Sequence, residues 1–355
     1  MDWKKAGAIF LFSILCFTPY LFRETVFGSD SYYYMDSLGL SVSFVKIAAF
    51  LCFLASSFLI ALIGEKRAKH GWLAFALSAS WVLWIPFFYG FEDEVLAFPF
   101  LLASVWFCLD KKWIGAVFLL GLAFLISKIS FVFSLALIPF NLVFGIPLVF
   151  ALAGSFFFFF IRQGLVSIVS VAAQESRPVW NALLWAWLWI PVYFYARGIK
   201  KIDSFSWMLL VLCVLGFVNG KFAFFAVPFL AMELIAWVEK IPKKNRGGVA
   251  VLLVFFSSVM FGVSLWAAFW GPPIKADLSL IQDAGFLAWA EERPLKNTWS
   301  VGYWVEHELP GRATAWGGGE GWDKNYAGAF VLAGAHEAID CPLITKEQNI
   351  AFYLC

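Results

Sequence analysis

The sequence is poor in charged residues, and neither sign dominates. Only 14% of its 355 residues are charged, and 26 basic and 24 acidic side chains leave a formal net charge of +2. The positive residues are scattered through short polar segments, so they form no stripe that could follow a nucleic-acid backbone. We therefore expect no nucleic-acid partner.

The sequence also lacks the residue clusters that mark two common kinds of site. The three histidines, His70, His307 and His336, are scattered along the chain, which argues against a zinc site. The glycine run GGGEG (317–321) follows no strand with the spacing of a nucleotide-binding loop. Its glycines favour a tight turn instead.

Cysteine is infrequent, and most of it lies in apolar surroundings. Four of the six cysteines fall inside apolar runs, where a thiol behaves as a small hydrophobic group: Cys16, Cys52, Cys108 and Cys213. Only Cys341 and Cys355 lie in a polar region. These two alone could form a disulfide, in an oxidising compartment.

What the chain has in abundance is apolar sequence. It is 62% hydrophobic and 20% aromatic, with a mean hydropathy of +0.81, well above the average for soluble domains. A bilayer core needs roughly 20 apolar residues per helix. The candidate spans are 6–22, 43–63, 71–89, 95–109, 113–126, 130–144, 146–161, 179–197, 204–218, 222–238 and 248–270. These segments predict an all-α polytopic membrane protein with about eleven transmembrane helices.

The distribution of basic residues predicts the orientation. Lys4 and Lys5 precede the first span, which is followed by a long polar loop rather than a cleavage site, so it resembles an anchor. Cytoplasmic loops are enriched in Lys and Arg. Four basic segments follow: GEKRAKH (64–70), DKK (110–112), RGIKK (197–201) and EKIPKKNR (239–246). A cytoplasmic N-terminus places all four inside if residues 130–161 form two helices, and we count two; one helix there would put the later basic segments outside. The tail from residue 271 then lies outside, so we expect a transmembrane domain at 1–270 and an extracytoplasmic domain at 271–355.

The same topology gathers acidic residues on the outer side. They lie in three predicted loops: Asp30 and Asp36 in the first, Glu92, Asp93 and Glu94 in the second, and Glu175 in the third. Oxygen ligands from separate loops suit a hard divalent cation such as Mg²⁺ or Mn²⁺. The alternative for each carboxylate is simple solvation in an exterior loop.

An ordered set of motifs resembles the catalytic subunit of oligosaccharyltransferase, of the archaeal and bacterial single-subunit type, a family in the GT-C class of membrane glycosyltransferases. The motifs are GSDSYYYM (28–35), YGFEDEV (89–95), AAQESRP (172–178), NGKFAFFAVP (219–228), TWSVGYW (298–304) and GRATAWGGGEGWDKNYAGAFVLAG (311–334). The first three resemble the acidic loop motifs of that family. TWSVGYW resembles its Trp-Trp-Asp-Tyr-Gly hallmark followed by Tyr-Trp.

The resemblance implies a GT-C-like fold and a role for each matched residue. The Mn²⁺ or Mg²⁺ ligands would come from Asp30, Glu92, Asp93, Glu94 and Glu175. Asp30 and Glu175 would also orient the acceptor and take its proton. Lys221 would pair with the donor phosphate; the alternatives are an interfacial lysine at that position, or Lys128, Arg23 or Arg162 as the phosphate ligand.

The hallmark segment would bind the acceptor. Its candidate residues are Trp299, Ser300, Gly302, Tyr303 and Trp304. Ser300 stands where the family has the Asp that accepts a hydrogen bond from the Ser or Thr hydroxyl of an Asn-X-Ser/Thr acceptor. For Trp316 and Trp322 we favour packing inside a small domain over ligand stacking.

Three functions remain open. The first is transfer of a glycan from a polyprenyl-(di)phosphate-linked donor to an extracytoplasmic acceptor, most like transfer to Asn of proteins by an oligosaccharyltransferase. The second is a GT-C monosaccharide transferase that acts on a lipid or glycan. The third is a non-catalytic transporter or paralogue, against which the scarcity of acids within the apolar runs argues. We expect the first, in an integral membrane protein of the cell membrane that acts as a monomer.

Overall fold

The structure is a computed structural model of the chain. It describes residues 2–21, 39–81, 93–127, 133, 136–137, 140, 203–218, 220–270, 278–298, 301–315, 325–334, 337, 339–347 and 350–355. Every statement below refers to these residues.

Helices dominate the described part of the chain. They are α1 (Trp3–Leu21), α2 (Val42–Arg67), α3 (Ala74–Trp81), α4 (Asp93–Leu109), α5 (Trp113–Ile126), α6 (Ser204–Val218), α7 (Gly220–Lys240), α8 (Lys243–Trp270), α9 (Leu278–Ala290) and α10 (Gly302–Glu308). A short 3₁₀ turn at Gly71–Leu73 precedes α3.

A four-stranded mixed sheet lies near the C-terminus. Its strands are β1 (Leu295–Asn297), β2 (Phe330–Gly334), β3 (Leu343–Glu347) and β4 (Ile350–Leu354), in the spatial order β1-β2-β4-β3. β1 pairs parallel with β2, with Leu295 opposite Phe330, whereas β4 pairs antiparallel with both β2 and β3. The segment between β1 and β2 therefore crosses from one end of the sheet to the other.

The chain divides into two compact units. Unit 1 comprises Met1–Pro19, Ala49–Phe87 and Asp93–Trp266, and unit 2 comprises Tyr20–Ala48, Phe88–Glu92 and Ala267–Cys355. Unit 1 holds the helices from α1 to α8 apart from the last two residues of α1, the first turns of α2 and the last residues of α8. Unit 2 holds α9, α10 and the sheet.

Aromatic side chains form much of the core of unit 1. Phe225 of α7 lies 5.6 Å, centroid to centroid, from both Phe98 of α4 and Phe133. Phe205 of α6 meets Phe229 of α7 edge to face at 5.7 Å. Offset and edge-to-face pairs of this kind add to the stabilisation from apolar burial.

Two glycines let the backbone of α2 approach the 3₁₀ turn closely. A Cβ placed on Gly64 would lie 2.0 Å from the carbonyl oxygen of Gly71, and one on Gly71 would lie 1.8 Å from that of Gly64. Only glycine fits at these two positions without a backbone shift.

Both faces of the sheet in unit 2 are buried. Phe330, Leu332, Ile350 and Phe352 share one face, and a separate apolar cluster covers the other. Ala329, Val331, Ala333, Ala351 and Tyr353 are buried there. A disulfide joins Cys341, which precedes β3, to Cys355, which follows β4. This confirms the predicted pairing, and the four other cysteines are free.

The prediction of an all-α protein with about eleven transmembrane helices is wrong. Among the described residues, one helix, α2 at Val42–Arg67, is long and apolar enough to cross a membrane, and unit 2 contains a sheet. Three apolar segments are shorter: Val95–Leu109, Trp113–Ile126 and Ser204–Leu215. At 1.5 Å per residue such segments reach at most about 22 Å, short of the roughly 30 Å hydrocarbon core. The spans predicted at 146–161 and 179–197 lie outside the described residues.

Candidate functional site

The segment with the strongest motif resemblance begins at the carboxyl end of β1. Thr298 extends the pairing of β1, since its N–H donates to the carbonyl of Leu332 at 2.8 Å. α10 then begins at Gly302. β1 thus positions the hallmark segment, in unit 2, at the point where the chain leaves the sheet.

Asn297, the last residue of β1, fixes the conformation of this region. Its side chain is buried, with 2% of its surface exposed. Its Nδ2 donates to the carbonyls of Thr298 and Ala315 at 2.9 and 2.7 Å. Its Oδ1 accepts from the N–H and the hydroxyl of Thr314 at 2.6 and 3.2 Å. One amide thereby joins the start of the hallmark to the GRATA segment (311–315).

Glu306 of α10 holds the same segment from its other side. One carboxylate oxygen accepts from the N–H of Gly311 at 2.9 Å and the other from that of Ala313 at 3.4 Å. Pro310 and Gly311 form the tight turn that connects α10 to this segment, and the N–H of Arg312 donates to the carbonyl of Leu309 across it. Gly311 has φ +76°, which is the conformation that a type II turn requires after proline.

Trp304 anchors α10 rather than presenting its ring to solvent. Its side chain is 5% exposed, and Val301 and Val305 beside it are fully buried. Among the described residues its indole Nε1 has no hydrogen-bond partner. A buried indole N–H usually has one.

The other predicted site residues are described only in part. Gly302 and Tyr303 open α10 beside Trp304, Asp93 and Glu94 open α4, and Lys221 lies in the first turn of α7. The structure describes the backbone but not the side chains of Tyr303, Asp93, Glu94 and Lys221. The remaining predicted residues lie outside the described ranges: Asp30, Glu92, Glu175, Trp299 and Ser300.

The predicted cation site is therefore supported by sequence alone. Within the described ranges, no three His, Cys, Asp or Glu side chains come together in a way that could hold a metal ion. The structure brings together members of the hallmark on α10. Of the predicted carboxylates, Asp30, Glu92 and Glu175 lie outside the described residues, and the side chains of Asp93 and Glu94 are not described.

Sequence reasoning missed Asn297, Glu306 and Thr314. The Leu-Pro-Gly-Arg turn was a local signal for a chain reversal after α10. A reversal at that point brings residues 311–315 back towards α10, where the carboxylate of Glu306 can reach their N–H groups.

Unit 1 contains a separate polar cluster around Arg67 at the end of α2. Its guanidinium contacts Glu233 of α7 at 2.5 Å and Asp203 at 2.7 Å, and it lies over the ring of Phe205. Burial raises the pKa of the Asp203 carboxyl, but hydrogen bonds from Ser206 and Arg67 outweigh this and hold that pKa below its ordinary value. The cluster joins the end of α2 and the start of α6 to the interior of α7, which indicates a structural role.

Comparison of the chain with models of known protein families, and with curated proteins, found no match. The family resemblance consequently depends on the ordered motifs alone.

Proposed function

We propose that the chain is a membrane-bound glycosyltransferase. It transfers a glycan from a polyprenyl-(di)phosphate-linked donor to an acceptor outside the cytoplasm, most like an oligosaccharyltransferase that acts on Asn of proteins. The observation that carries the proposal is the joining of two motif segments, 298–304 and 311–315, by Asn297 and Glu306. These hydrogen bonds join the described residues of two segments that were matched independently in sequence, as two parts of one acceptor site would be joined.

The apolar surface of unit 1 supports attachment to a membrane. Large apolar side chains are exposed on several helices, including Leu15 at 65%, Ile114 at 89% and Val251 at 68%. Large apolar side chains exposed in this number favour contact with lipid or another protein over contact with water, and α2 has the length and hydropathy of a span. The Cys341–Cys355 disulfide suits an extracytoplasmic C-terminus.

The chemistry follows from the residue types that the resemblance assigns. A divalent cation held by Asp30, Glu92, Asp93, Glu94 and Glu175 would neutralise charge on the departing phosphate. Lys221 adds a point charge for the same phosphate. Asp30 and Glu175 orient the acceptor and take its proton, while the α10 region binds the rest of the acceptor.

A second candidate is a GT-C monosaccharide transferase that acts on a lipid or glycan. The observation in its favour is Ser300, a hydroxyl where the resembled family has a carboxylate. A hydroxyl is a weaker acceptor for the hydrogen bond that reads the Ser or Thr of a peptide acceptor.

A transfer assay with the purified full chain tests the proposal. Lipid-linked sugars from the native membrane, a labelled Asn-X-Thr peptide and Mn²⁺ are incubated with the protein, with and without EDTA. We expect glycopeptide that disappears with EDTA and falls about 10²-fold or more in Asp30→Ala, the loss typical of a catalytic acid or base. Asp36→Ala, in the same predicted loop, is the matched control and should remain active.

The alternative outcomes separate the candidates. Sugar on a lipid or glycan, with no glycopeptide, would favour the monosaccharide transferase. Full activity in Asp30→Ala or in EDTA would overturn the proposed site, and no transfer to any acceptor would overturn the assignment as a glycosyltransferase.

A further inference from the structure

A groove with an apolar body and a charged end lies within unit 1. Its volume is about 530 Å³, and it runs between α1, α3, α7 and α8. Leu73, Leu77, Ile235 and Leu253 are among the side chains that form its walls, and His70, Glu239 and Arg246 lie at one end. We call this feature the α8 groove. Its volume is within the range of ligand sites.

The groove is long and narrow, with the dimensions of a hydrocarbon chain rather than of a compact molecule. It follows α8 from Arg246 to Ser258, and the helical rise of 1.5 Å per residue makes this about 18 Å. Polar groups gather mainly at the Arg246 end, so a polar ligand would find few hydrogen-bond partners along the walls. The long apolar body favours a hydrocarbon chain.

The charged end of the groove is basic. The Nη2 of Arg246 donates to the carbonyls of Glu239 and Ile241 at 2.5 and 3.1 Å, which fixes the guanidinium at the groove. Its Nε is buried and, among the described residues, has no hydrogen-bond partner. Lys243 and Lys244 are exposed in the same first turn of α8.

Among the described lining residues, the carboxylate at this end is that of Glu239, and it is already engaged. Glu239 accepts hydrogen bonds from the N–H groups of His70 at 2.7 Å and Lys69 at 3.1 Å. Its charge is therefore partly balanced by the backbone, and Arg246 with the two lysines leaves the end positive. An anionic group is the complement of such a site.

The surface beside the groove is also apolar. Val251, Leu252 and Phe255 of α8 are 68%, 57% and 60% exposed. An amphiphile with one chain in the groove could cover these side chains with the remainder of its apolar part.

We propose that the α8 groove binds an anionic membrane phospholipid, with one acyl chain in the apolar body and the phosphate beside Arg246. A zwitterionic lipid offers the same chain but no net negative charge for Lys243, Lys244 and Arg246. Each basic residue near an anionic head group strengthens binding about fivefold. The site is independent of the predicted transferase residues, so its test does not depend on glycosyl transfer.

The test compares phosphatidylglycerol with phosphatidylcholine on the delipidated full chain in detergent. Native mass spectrometry counts bound lipid during a titration. We expect phosphatidylglycerol to bind at least about fivefold more tightly, and Arg246→Gln to lose most of that preference. Arg246→Lys, which keeps the charge, should retain it, and Lys244→Gln on the same turn should lose less.

A second pair of variants tests occupation of the groove itself. Ala250→Trp fills the groove, whereas Val251→Trp adds the same ring at the neighbouring position, which does not line it. We expect only the first to abolish binding. Equal binding of the two lipids, full binding by Ala250→Trp, or binding of polyprenyl phosphate without phosphatidylglycerol would overturn the proposal.

Discussion

Asn297 is a buried amide in which every hydrogen-bonding group has a partner. The two donors of Nδ2 face the carbonyls of Thr298 and Ala315, and Oδ1 accepts twice from Thr314. Such an amide specifies one conformation, because any rearrangement leaves buried polar groups without partners.

At this residue, Asn297→Asp should be strongly destabilising although it hardly changes size. The new oxygen would face two carbonyl oxygens, and each buried group left unsatisfied costs about 1–3 kcal/mol. We expect the free energy of unfolding to fall by at least about 2 kcal/mol, measured by denaturation of the purified chain with tryptophan fluorescence.

The control is an exposed amide in the same unit. Gln282 donates to the carboxylate of Glu308 at 2.6 Å in solvent, so Gln282→Glu should cost less than about 1 kcal/mol. Equal losses in the two variants would contradict the role we assign to Asn297.

The second prediction for single residues concerns Gly64. Because a Cβ there would overlap the carbonyl oxygen of Gly71, Gly64→Ala must separate α2 from the 3₁₀ turn. Overpacking of this kind costs about 1–3 kcal/mol or more, and thermal unfolding in detergent should show the lower midpoint. Gly121→Ala in α5 meets nothing within 4 Å and should be neutral or stabilising; a loss there equal to that of Gly64→Ala would argue against steric overlap as the cause.

Among the secondary-structure elements, two helices end on a non-glycine residue in the left-handed conformation. Lys111 follows α4 with φ +58°, and Glu292 follows α9 with φ +53°. In both cases the next N–H reaches back five residues, from Lys112 to Phe107 and from Arg293 to Ala288. Glycine is the residue most often found at this position.

Glu292→Gly should therefore stabilise unit 2. The left-handed conformation is costly for residues with a Cβ, and part of the gain is offset by the greater freedom of glycine in the unfolded chain, which leaves a net of about 0.5–1 kcal/mol. Lys111→Gly should change stability in the same direction in unit 1. Denaturation curves of both variants measure the free energy of unfolding. A loss of stability would indicate that the native side chain makes a contact that stabilises the fold by more than the left-handed conformation costs.

The sequence predicted the features that depend on neighbouring residues and missed those that depend on contacts between residues far apart in sequence. The apolar runs at 113–126 and 204–218 have the bounds of α5 and α6, because local hydrophobicity ends where charged residues begin. Hydropathy did not distinguish short packed helices from spans, so the number of spans was wrong. The contact of Asn297 with Thr314 and the ion pair of Arg67 with Glu233 join residues far apart in sequence. No local pattern specifies such contacts.

For the whole molecule, the distribution of cysteine links structure to compartment. Cys16, Cys108 and Cys213 are buried in helices of unit 1, and Cys52 is half-buried. The pair in unit 2 closes a loop with a sequence separation of 14, which stabilises the folded state by about 3 kcal/mol in the chain-entropy account. The bond persists only where the surroundings are oxidising.

The oxidation state of this pair in cells consequently tests the proposed extracytoplasmic C-terminus. In a chain with the four unit 1 cysteines replaced by serine, we expect no labelling by a maleimide reagent in intact cells. After treatment with a reductant that does not cross membranes, we expect both Cys341 and Cys355 to be labelled, because the bond would then be accessible from outside. Cys341→Ser, which leaves Cys355 as a free thiol, is the positive control and should be labelled without reduction. Two results would place unit 2 on the cytoplasmic side. In one, Cys341 and Cys355 are already free thiols when the cells are lysed. In the other, the bond between them is reduced only by a reductant that crosses membranes. The acceptor of the proposed transfer would then have to lie there too.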